Sequence, residues 1–352
     1  MEINKVLRLI RRQLGFPNKA NWGYAYMLAS IGLLATYWVS YIIENAKTSY
    51  SATSLIGYSI IGSILALLAF IIPSVILIMR HNGNANNSEF PISLGRFSGI
   101  GPLFLSFLSG VGVRFVYSAL HNLTSWTWLR MGNNMIFPMF QCVNDMKSAP
   151  ETILYVISTT IIPGIGVCLF FLGLIYSLIG KSERKLAYIL IPILAALCSM
   201  NFIDMLPIFF AMCWLVFLRE KTNNILCPLL CLVACTITSI LSRGLVPSVD
   251  ITMVLTYSDI PESYLYSSVA ACLVGIIMLA FFYKGFVEFN KSFFAVKPII
   301  SDEAPTTNDT NGSDNKSSKK NKAPSFSSGV NLALIVAVII LIVLWNITLK
   351  GA

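Results

Sequence analysis

Apolar residues in this chain come in long blocks separated by short polar segments. About 20 such residues cross the hydrocarbon core of a bilayer as a helix, so the pattern predicts transmembrane helices. We place about nine spans, at Trp22–Ile43, Leu55–Met79, Gly101–Leu120, Thr152–Ile179, Leu186–Met200, Met205–Leu218, Ile225–Leu241, Tyr266–Tyr283 and Val330–Leu349. The predicted fold class is all-α, a polytopic helical membrane protein.

Local signals sharpen several of these elements. Met1–Phe16 puts Ile3, Leu7, Ile10 and Leu14 on one helical face, with Arg8, Arg11 and Arg12 towards the other. That pattern predicts a basic amphipathic helix lying on an anionic leaflet. A cleaved signal peptide fits less well, because the next apolar block is too long and no small-x-small site closes it. Ser148-Ala-Pro-Glu151 has the form of a capping box opening the fourth span, with Pro150 where a missing N–H costs nothing. Pro163-Gly164, inside that span, predicts a kink and carbonyls that neighbouring helices must satisfy. The fifth and sixth blocks could be one long helix, and charge decides. Lys181, Arg184 and Lys185 precede them, Arg219 and Lys221 follow. Both ends favour the same side, so the segment must turn back, and we place the turn at Asn201-Phe-Ile-Asp204.

Lys and Arg concentrate in alternate segments, which predicts a cytoplasmic N-terminus. The segments then facing out hold only Lys47, Arg130, Lys147, Arg243 and Lys350. From His121 to Ser148 an outer loop carrying Trp126, Trp128 and Phe137 suits the membrane interface. Ser301–Ser328, rich in Asn, Ser, Thr, Asp and Lys, predicts a disordered cytoplasmic linker, with the last span a separate anchor. The chain thus divides into a basic segment (1–21), N-terminal membrane helices and loop (22–151), a central unit (152–241), an eighth span with flanks (242–300), the linker (301–328) and the anchor (329–352).

Composition agrees. Hydrophobic residues make up 56% of the chain and charged ones 12%, more apolar surface than one soluble core of this length buries. The formal charge of +9 follows from loop orientation and does not argue for nucleic acid. Of the eight cysteines, all but Cys142 fall in or against apolar blocks, with no CxxC pair. They read as small packing residues rather than a disulfide framework. Cys231 and Cys235, at i and i+4, could with Cys168 form a thiolate metal or redox site, against which stands ordinary packing of buried thiols. Arg114 is the one charge well inside a span, and snorkelling to the near interface is favoured over a ligand contact. Gly99, Gly101, Gly110 and Gly112 predict close helix packing. No phosphate-binding G-x-x-x-x-G-K-S/T loop, H-E-x-x-H helix or G-x-S-x-G elbow occurs. No cofactor is expected.

Thr159–Thr236 carries a resemblance. Ile162-Pro-Gly-Ile-Gly-Val-Cys-Leu-Phe-Phe-Leu-Gly followed by an apolar run resembles the signature helix of the CAAX prenyl protease and bacteriocin-processing (CPBP) family of intramembrane proteases. In that family the Pro is followed by Glu-Glu-x-x-x-Arg-Gly. Leu197-Cys-Ser-Met-Asn201-Phe202 resembles its Phe-x-x-x-His segment. Arg219-Glu-Lys-Thr222, running on to Pro228, resembles its basic-Thr-Gly-Ser turn before a final His-x-x-x-Asn helix.

The resemblance implies a four-helix core whose active site faces a shared interior, but the chemistry is missing. The family's two Glu positions hold Val167 and Cys168, its Arg position Leu172 and its first His position Asn201. The second His falls at Val233 (Leu232 in the other register), and the Asn at Ile237 or Thr236. No Asp or Glu lies between Glu151 and Glu183, and the only histidines are His81 and His121. A histidine-dependent site in this segment is therefore impossible in any register, although Asn201 could still donate a hydrogen bond to a bound carbonyl. The expectation is a catalytically inactive scaffold in the cell membrane that binds another membrane protein or a peptide, in an immunity or regulatory role. The alternatives are a transporter or permease component and, third, an endopeptidase with a rebuilt site.

Overall fold

The computed structural model describes residues 21–46, 63–64, 66–83, 92, 94–95, 99–130, 149–179, 184–199, 202–241, 262–296 and 332–350. Among them the chain is helical apart from one antiparallel bridge between Gly95 and Asn224. The helices are α1 Trp22–Ala46, α2 Leu67–Asn82, α3 Ile100–Arg130, α4 at 149–179, α5 Arg184–Leu197, α6 Phe202–Thr222, α7 Leu226–Leu241, α8 Glu262–Val296 and α9 Leu332–Lys350. Four stretches, Ile100–Trp128, Ile162–Ile179, Phe202–Thr222 and Glu262–Phe289, are long and apolar enough to cross a membrane. The chain is an all-α, multi-pass membrane protein. Its exterior agrees with that. On α8, Ile277 and Phe281 are 68% and 72% exposed, with Leu273 and Ile276 beside them. Such a stripe is at home in lipid rather than water.

The bundle is organised around α3, which packs on α6, α7 and α8. Small residues set the distances. Gly110 lies against the Cys231 carbonyl of α7, and a Cβ there would come 2.7 Å from that of Ala234. On the α8 side, a Cβ on Gly275 would come 2.9 Å from the Gly112 carbonyl. Backbones approach this closely only where glycine removes the side chain.

Helix α4 runs unbroken through Pro163, and its accommodation of the proline is local. Ile157–Ile161 forms a π-helical stretch immediately before it, and Leu67–Ile71 does the same before Pro73 in α2. Pro163 has no N–H to give to a carbonyl one turn back. The Ser158 carbonyl, five residues earlier, instead accepts from Ser63 Oγ at 3.1 Å. The freed carbonyl is thus taken up by a neighbouring segment, as the sequence suggests. A third π stretch, Cys168–Ile175, is densely buried, with Phe170, Leu172, Leu174 and Ile175 at 0% exposure.

Helices α5 and α6 form the expected hairpin and pack against each other along their lengths. The turn falls slightly earlier than predicted, since α5 ends at Leu197 and α6 has begun by Phe202. Two spans are longer than hydropathy suggests. Residues 121–130, expected to open a loop, continue α3 as helix. Helix α8 runs to Val296 rather than Tyr283 because Phe282 and Phe286 extend its buried face and Phe289 reaches Gly101. The last helix is not a separate anchor. Ala333, Ala337, Leu341 and Leu344 of α9 are buried where it packs on α1, and Trp345 Nε1 donates to the Leu197 carbonyl at 3.0 Å. Met1–Phe16, Phe137, Cys142, Asn201 and the 301–328 linker lie outside the described residues.

Candidate functional site

Three places stand out in the bundle. The first is the seam between α4 and α7, where Val167, Cys168, Leu172, Val233 and Ile237 fall. Leu229, Leu232 and Thr236, at i, i+3 and i+7, turn towards α4. Gly164 meets Leu229 and Leu232, and Thr160 Oγ1 lies 2.7 Å from Thr236 Oγ1. Cys168 is 2% exposed and within electrostatic range of Cys231. Leu172 is fully buried, and Val167 is part-buried against the same core. Val233 and Ile237 are part-exposed on an adjoining strip of α7. The seam is therefore closed and apolar. Cys231 Sγ has Ser109 Oγ 3.6 Å away, and Cys235 faces the Arg114 side. Among the described residues no three His, Cys, Asp or Glu side chains are grouped to hold a metal ion.

The second place is the α6–α7 turn. Arg219, which the charge pattern treats as a loop residue, is 2% exposed. Its Nε donates to the Leu172 carbonyl at 3.1 Å and its Nη1 to Asn223 Oδ1 at 3.5 Å, and its guanidinium lies 5.7 Å from the Tyr176 ring centre. Leu172 sits in the π stretch of α4, so Arg219 ties that irregular backbone to the turn. Asn223, at φ 47°, turns the chain. Ile225 N–H then donates to the Leu94 carbonyl at 3.2 Å. Gly95, at φ 97°, packs against Asn223, leaving no room for a Cβ. The Arg219–Thr222 turn is thus a structural latch in this chain.

The third place joins the middle of α3 to the start of α6. Arg114, Tyr117 and His121 follow i, i+3, i+7 and share one face of α3. Asp204, in the first turn of α6 where a negative charge suits the helix dipole, meets two of them. Tyr117 donates its hydroxyl to Asp204 Oδ1 at 3.1 Å, and His121 Nδ1 lies 2.9 Å from the same oxygen. Both ionisable side chains of that pair are shielded, at 10% and 15% exposure. Around them Asn122 donates to Ser268 Oγ at 2.9 Å, and Thr124 Oγ1 lies 2.8 Å from the Ile203 carbonyl.

Arg114 is the fourth polar group on this face and is itself part-exposed. Its guanidinium lies 5.9 Å from the Tyr117 ring centre and near Cys235, yet its buried Nε has no hydrogen-bond partner among the described residues. Trp128 lies against Phe202 at 5.0 Å and Phe202 meets Trp345 at 6.5 Å, which marks an aromatic belt at that end of the bundle. Phe202 stands two residues from Asp204, the group that Tyr117 and His121 reach, and Arg114, three residues before Tyr117, is part-exposed.

Sequence inspection singled out Arg114 but missed its partners. The signal was present: Tyr117 and His121 stand at helical spacing from it, and Asp204 is the sole acidic residue between Arg184 and Arg219. No family model, curated protein or solved structure matches this chain.

Proposed function

We propose that the chain is a catalytically inactive, CPBP-like membrane scaffold of about nine spans with a cytoplasmic N-terminus, which binds another membrane protein or a peptide. One observation carries the inactive half of this reading. Val167, Cys168 and Leu172, at the positions of the family's base and arginine, are built into the apolar core, and the Leu172 carbonyl is occupied by Arg219. Water activation needs a base with access to a substrate carbonyl, and a packed thiol beside aliphatic side chains supplies neither. Residues that act as a catalytic set lose most of their rate enhancement together, so a single surviving polar group does not restore it.

The test uses the purified full chain in liposomes with fluorogenic membrane peptides, alongside Cys168→Ala. The expected outcome is no cleavage by either protein and a stability loss of about 1 kcal/mol from the lost sulfur contacts. Cleavage that depends on Cys168 or Cys231 would overturn the reading in favour of a rebuilt protease.

A second reading, a transporter or permease component, is favoured by the Arg114–Tyr117–His121–Asp204 cluster. Ionisable groups held within apolar helices are costly and commonly mark solute or proton pathways. Solute flux across proteoliposomes, lost on changing Asp204, is the outcome that would favour it over the scaffold.

A further inference from the structure

The end of the bundle where α6 stops carries an aromatic floor shared by three helices. Phe217 of α6 stacks on Tyr283 of α8 with ring centres 5.2 Å apart, and Trp214 lies 4.9 Å from Phe217. Tyr188 of α5 reaches the Glu220 carboxylate of α6 with its hydroxyl and lies within electrostatic range of Tyr283. Helical spacing then places lysines one turn nearer that end, on the faces these rings define. Lys185 is three residues before Tyr188 on α5, and Lys221 is four residues after Phe217 on α6. Because α5 and α6 run in opposite directions as a hairpin, both steps lead the same way. Lys284 directly follows Tyr283 on α8.

Lys185 and Lys284 are exposed and Lys221 is part-exposed, and none of the three forms an ion pair among the described residues. Two carboxylates stand near them. Glu220 is engaged by Tyr188, and Glu288, one turn on from Lys284, has a partner of its own. The segment leading into α5 adds Lys181 and Arg184 against Glu183 in sequence, so the surplus here is positive. Away from the lysines the helix surfaces turn apolar. Lys284 ends a stripe with Ile277 and Phe281, 68% and 72% exposed, and Lys185 opens one with Ile189 and Ile193. Cations at the head of exposed apolar stripes match a phospholipid, with its phosphate at one level and its acyl chains at the next. A soluble anion would pair with the lysines and leave both stripes bare. A zwitterionic lipid would cover the stripes but bring its own cation against the lysines.

We propose that the adjoining ends of α5, α6 and α8 form a docking surface for an anionic phospholipid. Its phosphodiester sits among Lys185, Lys221 and Lys284, and its acyl chains run along the two apolar stripes. Tyr188 and Tyr283, the latter 49% exposed, supply the amphipathic rings that suit the headgroup level. The lysines stay solvated at little cost to the fold, and what they add is a selection among lipids. The surface lies apart from the α3 cluster and stands whether the bundle is a scaffold or a transporter.

The experiment measures lipid retention by the purified full chain in detergent, using native mass spectrometry. Dioleoyl phosphatidylglycerol and dioleoyl phosphatidylcholine compete at equal concentration. Phosphatidylglycerol is expected to be retained about tenfold more, the size that a few lysines near an anionic headgroup produce. Lys185→Gln, Lys221→Gln and Lys284→Gln combined should bring that ratio near one, whereas Arg at the same three positions should keep it. The arginine variant also separates loss of charge from a folding defect at these positions. Glutamine at Lys316, Lys319 and Lys320 removes equal charge elsewhere and should leave the ratio unchanged. Equal retention of the two lipids, a preference that survives the triple glutamine variant, or one that falls as far in the control overturns the proposal. So does displacement of phosphatidylglycerol by glycerol phosphate or by a hexaglutamate peptide at matched concentration, which would assign the surface to a soluble anion or an acidic protein segment.

Discussion

Arg219 and Arg114 both sit among apolar helices, and the bundle holds them in opposite ways. Arg219 is 2% exposed and is occupied at Nε, at Nη1 and over an aromatic ring. Arg114 has the ring contact and no hydrogen bond at its buried Nε. Arg219 closes a defect, because the π stretch of α4 presents a carbonyl that an ordinary helix would keep for itself. Arg114 closes none. A buried charge that repairs the backbone belongs to stability, and a part-exposed one with a ring contact alone carries less of it.

The largest effect should come from breaking the satisfied arginine. Arg219→Ala removes the donor to the Leu172 carbonyl in a dry site, and with it the packed stem over Tyr176. An orphaned buried carbonyl and the lost apolar contacts together should cost about 3 kcal/mol, read from SDS-titration unfolding of the purified full chain. Arg219→Lys keeps the charge but loses the planar fork, and should recover only part of that. A loss below about 0.5 kcal/mol for the alanine variant would mean the latch carries no weight.

Next is Asp204→Ala. It leaves the Tyr117 hydroxyl and His121 Nδ1 without the oxygen they share. Uncompensated polar groups cost about 1–3 kcal/mol in such a site, so a loss of about 2 kcal/mol is expected in the same unfolding assay. Asp204→Asn keeps an acceptor for both partners and should lose about half as much. Equal losses from the two variants would show that charge, rather than hydrogen bonding, holds α3 to α6.

The difference between the two arginines also explains what could be read from the sequence. Helix positions and the α5–α6 hairpin were legible, because lipid imposes long apolar runs and charge asymmetry marks their ends. Helix lengths were not. Hydropathy stops at His121 and Asn122, whereas α3 continues because those groups find Asp204 and Ser268 on other helices. Charge pattern alone makes Arg219 a loop residue, because its partner carbonyl lies 47 residues away and is freed by a π stretch that no local pattern announces. Asn201, one of the positions the sequence resemblance singles out, lies outside the described residues. Seeing the α3 cluster in advance required pairing one face of α3 with a single aspartate on α6, and sequence spacing alone does not supply that pairing.

The smallest expected effect is the most diagnostic. Arg114→Met replaces a charged side chain with an unbranched apolar one of similar length, at a site where the Nε has no partner to lose. It removes a cation–π contact worth about 0.5–1 kcal/mol and relieves a desolvation cost of comparable or greater size. The net change in unfolding free energy should therefore lie within about 0.5 kcal/mol of zero, with stabilisation the expected sign. Asp204 keeps both Tyr117 and His121 in this variant, so the α3–α6 contact should be undisturbed, and cysteine crosslinking between the two helices can check that. A loss near the 3 kcal/mol expected for Arg219→Ala would place Arg114 with the structural arginines. A neutral or stabilising outcome means that the fold carries this charge without needing it for stability, the reverse of what Arg219 does at the π stretch of α4.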